Sequence, residues 1–252
     1  MSCRSSVDIR VNVEGDCSSG GLVGDVRTNP NNPDNSFVSI ANCVFDGKLR
    51  SGDPPSTHWG GFVGWVYGWE QGSEYSSSTV VFNNCMFAPT YFNYGIVVDN
   101  NSKTFARGDG SIVLSNCYFT EGNEINGNQG KLAHTITAGE YVSVENAGDP
   151  TTTSTVGTIG YGTGIMYNDT LYAANGETIR LNLNCTTILG YAADNYVASA
   201  GTLSGSANPY SLVMPNSDVV ISMAADEWEG TGTEDDHTSS MYSPSGICSP
   251  TV

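Results

Sequence analysis

Short stretches in which apolar and polar residues alternate recur through the first half of the chain. Residues 38–45 return in altered form as residues 80–87 and again as residues 112–119. Alternation over a few residues is typical of a β-strand that is buried on one face and solvated on the other. Each copy ends on Asn-Cys-x-Phe, and the copies stand 42 and then 32 residues apart. A constant block at variable spacing predicts a solenoid, because the strands are kept while the loops differ in length.

A second repeated block is rich in glycine. Residues 20–24 read Gly-Gly-Leu-Val-Gly, and residues 60–64 read Gly-Gly-Phe-Val-Gly. Glycine permits tight corners and close backbone approach, so this block predicts a second strand of the same solenoid rung. We expect Val38, Ile40 and Cys43 to face inward, with the preceding asparagine as a turn or ladder residue. The predicted fold class is all-β: a short right-handed parallel β-helix (solenoid) followed by a small β domain. The right-handed winding is expected because crossovers between parallel strands are generally right-handed.

The repeats also place cysteines at equivalent positions. Cys43, Cys85 and Cys117 are predicted to stack in one column, about 4.8 Å apart from rung to rung. A ladder of free thiols is the expected state, because cysteine is small and apolar enough for a crowded interior. A disulfide between neighbours and a metal site are the alternatives that the pattern leaves open. The chain has seven cysteines and no Cys-x-x-Cys, so their number and spacing assign no disulfide framework.

The second half of the chain carries different strand signals. Residues 178–185 alternate cleanly between apolar and polar, and the Asn-Gly pair at 175–176 is a strong hairpin turn signal. Residues 167–172 predict an earlier turn between strands. Residues 210–223 predict two strands around a Pro-Asn-Ser-Asp turn. This half is therefore expected to form a compact β unit of its own.

The first half resembles the GLUG-type repeats of large bacterial surface proteins, including adhesin-like proteins of gut bacteria. The two Gly-Gly-x-Val-Gly blocks and the three Asn-Cys-x-Phe blocks carry the resemblance, together with residues 87–90 and 104–108. The resemblance covers roughly residues 1–130, which we predict to be a β-helix repeat region. It implies a module of an exported surface protein.

The second half resembles InlB-type B-repeats of bacterial surface proteins. The residues that carry this likeness read GETIRLNLNCTTILGY and, further on, Tyr-x-x-x-Met-Pro-x-x-Asp-Val-x-Ile. The likeness covers roughly residues 138–226 and implies a spacer or adhesion module without catalytic residues. We predict a small β repeat domain over 131–226. Residues 227–252 are predicted to be a tail, or else the start of a truncated further module.

The charge balance excludes two classes of partner. Nine Lys and Arg against 26 Asp and Glu give a net charge of −17. Nucleic acids and anionic membrane surfaces both require a basic face, which nine cations in 252 residues do not provide. No run of 18 apolar residues occurs, so membrane insertion is not expected. The first residues lack the apolar segment of a signal peptide, so we expect an extracellular or cell-surface location only as part of a larger exported protein.

Candidate catalytic groups are sparse. Asp99, Asp109, Glu121 and Glu124 lie in predicted loops of the third repeat, where a β-helical carbohydrate-active enzyme would carry its site. Hydrolysis of a glycosidic bond needs two carboxyl groups about 5 Å or about 6.5–9.5 Å apart, and nothing in the sequence fixes such a pair. We therefore expect no catalytic residue, no metal site and no cofactor, with Ca²⁺ in acidic loops as the alternative.

Aromatic residues concentrate around the second glycine block. The cluster comprises Trp59, Trp65, Tyr67, Trp69 and Tyr75. In a strand, residues 65, 67 and 69 share the face opposite Val66, so we expect them to face solvent. A sugar ring stacks well on such a strip, with nearby polar side chains bonding its hydroxyl groups. The alternative is that the strip packs under residues 70–78 or against the second domain.

These observations favour a non-enzymatic module of a secreted or cell-surface bacterial protein. It would serve as an adhesin or stalk that binds a glycan, or a host or cell-surface protein, through the aromatic strip. Self-association through open β-helix edges is a further expectation. Two alternatives remain: a fragment of a β-helical carbohydrate-active enzyme, and a purely structural or fibre-forming spacer. A clustered acidic groove would favour the enzyme, and buried tryptophans would favour the spacer.

Overall fold

The structure is a computed structural model that describes most of the repeat blocks and the second β unit. The described residues are 3–11, 18–27, 37–51, 59–68, 77–93, 102–123, 125, 129–140, 142–147, 164–185, 191–192, 196–223 and 249–250. Within these ranges the secondary structure consists of β-strands and turns, with no helix. The prediction of an all-β fold is confirmed. Winding of the strands into a right-handed β-helix stays a prediction.

The described part of the chain contains twenty-four strands. Those of the first half are β1 (Cys3–Ser5), β2 (Asp8–Val11), β3 (Ser19–Gly20), β4 (Val23–Val26), β5 (Phe37–Ala41), β6 (Cys43–Phe45), β7 (Lys48–Ser51), β8 (Trp59–Gly60), β9 (Val63–Val66), β10 (Thr79–Phe87), β11 (Tyr91–Asn93), β12 (Ala106–Gly108) and β13 (Ser111–Phe119). Those of the second half are β14 (Lys131–Ala138), β15 (Val142–Asn146), β16 (Ile165–Tyr167), β17 (Thr170–Ala174), β18 (Thr178–Cys185), β19 (Tyr191–Ala192), β20 (Tyr196–Ala198), β21 (Thr202–Ser204), β22 (Tyr210–Val213), β23 (Val219–Met223) and β24 (Ser249–Pro250).

The strands divide between two compact units. The first unit comprises Met1–Ala133 with Ser154–Ile165, and the second comprises His134–Thr153 with Met166–Val252. The division falls inside β14, whereas the sequence placed the boundary just before that strand, at residue 130. Of the predicted tail over 227–252, the structure describes Ser249–Pro250, and the rest lies outside the described residues.

Strands of successive repeats pair in parallel and in register in the first unit. Strand β10 lies between β5 and β13, so that Val80 pairs with Val38 on one side and with Ile112 on the other. Strand β6 also pairs with β10, and β1 pairs with β6 on its far side. Each residue therefore has its own equivalents from the neighbouring repeats as cross-strand partners. The differing loop lengths between repeats leave this register intact.

The glycine-rich blocks also stack in parallel. Strand β3 pairs with β8, and β9 pairs with β4 on one side and β12 on the other. Residues 104–108, which lack paired glycines, take the place of a third block, because the Phe62 amide donates to the Phe105 carbonyl at 2.8 Å. A Cβ atom on Gly61 would lie 1.9 Å from the Thr104 carbonyl oxygen. Glycine is required at residue 61 because the next strand passes too close for any side chain.

The asparagines of the repeat serve as both turn and ladder residues. Asn42, Asn84 and Asn116 have φ angles of 55°, 56° and 48°, in the left-handed region that asparagine tolerates better than most residues. The Asn84 side-chain amide donates to Oδ1 of Asn42 at 3.3 Å. Both roles expected of these residues are confirmed, and the bend at each asparagine recurs at the same step of each repeat.

Stacked phenylalanine rings fill the core of the first unit. The rings of Phe62 and Phe105 stack at 5.2 Å between centroids, and those of Phe45 and Phe87 stack at 5.8 Å. Phe82 meets both members of the first pair edge-to-face. All five side chains are fully buried. Full burial of a phenylalanine stabilises a fold by about 1.5–3 kcal/mol, so this column is a principal source of stability for the unit.

The outer edge of strand β12 pairs with none of the described strands, and the side chain of Gln129 bonds there instead. Oε1 of Gln129 accepts hydrogen bonds from the amides of Phe105 and Ala106, at 2.9 and 3.0 Å. Its Nε2 group donates to the Ala106 carbonyl at 2.6 Å. The side-chain amide thus satisfies the polar groups that a next strand would otherwise satisfy, which closes this edge to pairing.

Replacement of Gln129 by alanine is expected to lower the free energy of unfolding by about 2 kcal/mol, because three buried or half-buried backbone groups lose their partner. Chemical denaturation of the two proteins measures the difference. Glu121→Ala, at an exposed turn, is the control and should change stability by less than about 0.5 kcal/mol. Equal stability of Gln129→Ala and the parent would show that this contact does not close the edge.

The second unit is built around an antiparallel sheet in the order β15-β18-β22-β21. Its central strand β18 alternates as predicted, with Ile179, Leu181 and Leu183 buried. Leu212 and Tyr210 of β22 lie opposite the first two of these residues. The same core includes buried residues of β14 and β23, two strands that pair in parallel.

The turns of the second unit differ in what they connect. Asn168 and Asp169, with φ angles of 47° and 57°, form the predicted turn between β16 and β17. The predicted turn at Gly176 is also present, but β17 and β18 belong to different sheets, which corrects the hairpin expectation. Strand β18 has β15 and β22 as its two neighbours, so neither of its edges is left for β17.

Candidate ligand-binding site

Strand β9 and the residue that follows it present two aromatic rings on the outer face of their sheet. Val66 is fully buried, whereas Trp65 and Tyr67 are partly exposed. Their rings meet edge-to-face at 6.1 Å between centroids, with an interplanar angle of 70°. The prediction that residues 65 and 67 share the face opposite Val66 is confirmed.

An arginine lies over each of these rings. The guanidinium carbon of Arg107 lies 4.4 Å from the centre of the Trp65 ring, and that of Arg27 lies 4.6 Å from the centre of the Tyr67 ring. Arg107 belongs to β12 and Arg27 follows β4, the two strands that flank β9, so the arginines reach the rings from opposite sides. Such contacts stabilise by about 0.5–2 kcal/mol each. They hold the rings in fixed orientations.

A carboxylate completes this group. Asp25 lies directly opposite Trp65 in the β4–β9 register. Its Oδ1 atom accepts a hydrogen bond from Nε of Arg27 at 3.2 Å, and its other oxygen forms an ion pair with the same guanidinium group. We call Trp65, Tyr67, Arg27, Arg107 and Asp25 the aromatic–arginine patch. It brings together two partly exposed rings, the exposed side chain of Arg27 and one carboxylate.

Trp59 does not belong to this patch, which corrects the predicted strip. Its side chain is fully buried in the core of the first unit. Its backbone amide donates to Oγ of Ser102 at 3.0 Å, which ties β8 to the next repeat. A side chain without exposed surface has no ring face to offer a sugar. Trp69 and Tyr75, the remaining predicted contacts, lie outside the described residues, as do residues 70–76 that were considered as their cover.

The structure describes two of the four predicted loop carboxylates, Asp109 and Glu121. Asp109 is exposed and its Oδ1 accepts a hydrogen bond from the Gly68 amide at 3.0 Å, so it fixes a turn. Glu121 is exposed, and Asp99 and Glu124 lie outside the described residues. The enzyme alternative therefore stays a prediction.

The predicted column of cysteines is confirmed, and it has a fourth member. Cys85 pairs with Cys117 across β10 and β13, and the register of β6 beside β10 brings Cys43 next to Cys85. Cys3 pairs with Cys43 across β1 and β6. All four thiols are free; Cys3 is exposed and the other three are buried.

Contacts along the column shift the acidity of its thiols. A hydrogen bond with the Cys85 thiol and burial hold the pKa of Cys43 well above its usual range. The hydrogen bond with the Cys117 thiol, together with burial, raises the pKa of Cys85 to about 12. Sγ of Cys43 also bonds to the Ala41 carbonyl at 3.2 Å. Thiols with a raised pKa are protonated at neutral pH and react slowly. The pKa of Cys117 is instead lowered, chiefly by its hydrogen bond with the Cys85 thiol.

Sequence reasoning missed three residues that contribute to these arrangements. Cys3 lacks the repeat signature, because Ser5 stands where the other copies have phenylalanine. Arg27 follows the first glycine block, and Arg107 lies in residues 104–108, which take the place of a third block. Nothing in their spacing along the chain placed them over the aromatic rings. One sequence signal was available. Residues 25–27 and 65–67 stand at equivalent positions of the repeat, so they could be expected to lie side by side.

The described residues contain neither a metal-binding cluster nor a membrane-spanning helix. Within its described ranges, no set of three or more His, Cys, Asp and Glu side chains is arranged to hold a metal ion. The same part of the chain has no long apolar helix suited to crossing a membrane.

Comparisons of the chain with protein-family models, with curated proteins and with solved structures found no match.

Proposed function

We propose that this chain is a non-enzymatic module of a secreted or cell-surface bacterial protein, in which a β-helical first unit presents a glycan-binding patch. The β-helix is the winding that joins the parallel strands of successive repeats most simply. The sets β2-β7-β11, β4-β9-β12 and β5-β10-β13 each take one strand from every repeat. Parallel crossovers are almost always right-handed, so the helix is right-handed.

The observation that carries the glycan-binding proposal is the partly exposed pair of Trp65 and Tyr67. Sugars present C–H groups to aromatic faces and hydroxyl groups to carboxylates and guanidinium groups. Asp25 and the exposed Arg27 supply the polar groups beside the rings. Because Arg107, which is 3% exposed, already holds the Trp65 ring, little side-chain entropy is lost when a ligand binds.

A second candidate is a structural spacer, and the arginines also favour it. A guanidinium group that lies on a ring face occupies area that a sugar would use. In this alternative the patch ties β4, β9 and β12 together and has no ligand. Self-association would then be its main interaction, through edges such as that of β5, which within the described strands pairs with β10 alone.

Trp65→Ala is expected to abolish glycan binding, because it removes the larger ring of the patch. Binding is measured on a glycan array with the purified chain, and folding of each variant is checked by circular dichroism. Tyr91→Ala is the matched control: Tyr91 is 46% exposed and also carries an arginine, Arg50, at 5.3 Å over its ring, but it lies on another sheet.

Binding by the parent and by Tyr91→Ala, together with loss of binding in a folded Trp65→Ala variant, would support the proposal. Equal binding by all three proteins would place the ligand elsewhere on the chain. No binding by any of them would remove the glycan proposal for the sugars on the array and favour the spacer.

A further inference from the structure

The exposed end of the cysteine column brings together two thiols of different accessibility. Cys3 and Cys43 are direct partners in the parallel pairing of β1 with β6. In-register neighbours on parallel strands point to the same side of the sheet, so both side chains point to the side that Cys43 buries. Cys43 is 6% exposed, and Cys3 is exposed because its strand is the last of this row in the described part of the chain.

The backbones of β1 and β6 are bonded beside this pair, since the Cys3 amide donates to the Asn42 carbonyl at 3.3 Å. Neighbouring strands lie about 4.8 Å apart, within the range of Cα separations that a disulfide spans. Strand β1 has three residues and, among the described strands, pairs with β6 alone, so it is the edge strand of this row.

We propose that Cys3 and Cys43 are a redox modification site, at which exchange with a small-molecule disulfide forms a Cys3–Cys43 disulfide. The Cys3 thiolate attacks one sulfur of the small disulfide, forming a mixed disulfide and releasing one small thiolate. The Cys43 thiolate then attacks Sγ of Cys3 and releases the second small thiolate. Two protein thiols are oxidised and one small disulfide is reduced to two thiols. The new bond fastens the edge strand β1 to β6.

The rest of the column does not compete for this reaction. Cys85 is fully buried and Cys117 is 2% exposed, so a dissolved disulfide reaches neither of them. Each bonds through sulfur to a backbone carbonyl, Cys85 to Ile40 at 3.4 Å and Cys117 to Ser115 at 3.3 Å. The site is therefore specific to the pair at the end of the column.

The second step should be slow at neutral pH. The Cys43 thiol has a raised pKa, so its thiolate fraction grows with pH throughout the range from pH 7 to pH 9. The rate of closure is expected to increase about tenfold per pH unit between pH 7 and pH 9, since only the thiolate attacks. The mixed disulfide at Cys3 should accumulate at pH 7 and convert at pH 9.

Mass spectrometry of the full chain treated with oxidised glutathione tests the proposal. Intact masses should show one attached glutathione first and then loss of two hydrogens, and a peptide map of the product should join Cys3 to Cys43. Cys43→Ser and Cys43→Ala should both stop at the mixed disulfide, and Cys3→Ser should form neither product. A second background with Cys17, Cys185 and Cys248 replaced by serine removes the remaining thiols outside the column.

The proposal is overturned if the parent chain forms no Cys3–Cys43 bond in either background at pH 9. It is equally overturned if the map joins Cys43 to Cys85 instead, because the buried pair would then be the reactive one. The parent chain is itself an arm of the experiment, so a variant that fails to fold does not prevent a decision.

Discussion

Phe62→Ala is expected to lower the free energy of unfolding of the first unit by about 4 kcal/mol, because truncation of a large buried ring costs about 3–5 kcal/mol. The Phe62 ring is fully buried and contacts the rings of Phe82, Phe87 and Phe105 at centroid distances of 5.8, 6.2 and 5.2 Å. Removal of the ring leaves a cavity in the middle of the phenylalanine column. Urea unfolding followed by tryptophan fluorescence measures the loss.

Phe37→Ala is the matched control for this substitution. Phe37 is 66% exposed on strand β5, so its truncation should change stability by less than about 0.5 kcal/mol. Similar losses for the two variants would contradict the placement of the column at the centre of the core.

Gly64→Ala is expected to destabilise the first unit by about 3 kcal/mol, at the upper end of the usual cost of overpacking. A Cβ atom on Gly64 would lie 2.4 Å from the Gly24 carbonyl oxygen and 2.5 Å from the backbone of Ser18 and Ser19. These are backbone atoms of the preceding repeat, which cannot move without breaking the pairing of β4 with β9. Thermal unfolding by circular dichroism measures the effect.

Gly24→Ala tests the equivalent position of the preceding repeat. A Cβ atom on Gly24 would meet one neighbouring atom, the Ser18 carbonyl oxygen, at 3.3 Å. This substitution should cost less than about 1 kcal/mol, since a small adjustment relieves the contact. If Gly24→Ala destabilised the protein as much as Gly64→Ala, the repeats would not be stacked in the order that the structure shows.

The stacking of β5, β10 and β13 could be predicted from the sequence because most of their cross-strand partners are equivalent residues of successive repeats. Asn42 and Asn84 recur before a cysteine, and their side chains meet across the strands. The alternation of residues 178–185 likewise gave the buried face of β18 directly. Local patterns of this kind depend on residues that are close in the chain or are identical between repeats.

Other contacts could not be predicted because they join residues without a shared pattern. The burial of Trp59 depends on its place in the strand before the glycines, where the chain turns into the core. The cover of Trp65 by Arg107 depends on strand β12, which lacks the paired glycines that would have marked it as a third copy. The partners of β17 and β18 depend on which edges were already occupied, and a turn signal at residues 175–176 contains no such information.

The cross-strand contacts of the repeat strands test the central claim most directly, and nuclear Overhauser effects in the isotope-labelled protein measure them. Parallel, in-register stacking predicts amide-to-Hα effects that join residues 79–83 to residues 37–41 on one side and to 111–115 on the other. The side-chain amide of Asn84 should also show an effect to Asn42. Strong Hα-to-Hα effects between these strands, the mark of antiparallel pairs with closely spaced Cα atoms, would contradict the account. Effects that join these residues at any positions other than the equivalent ones of successive repeats would also contradict the account.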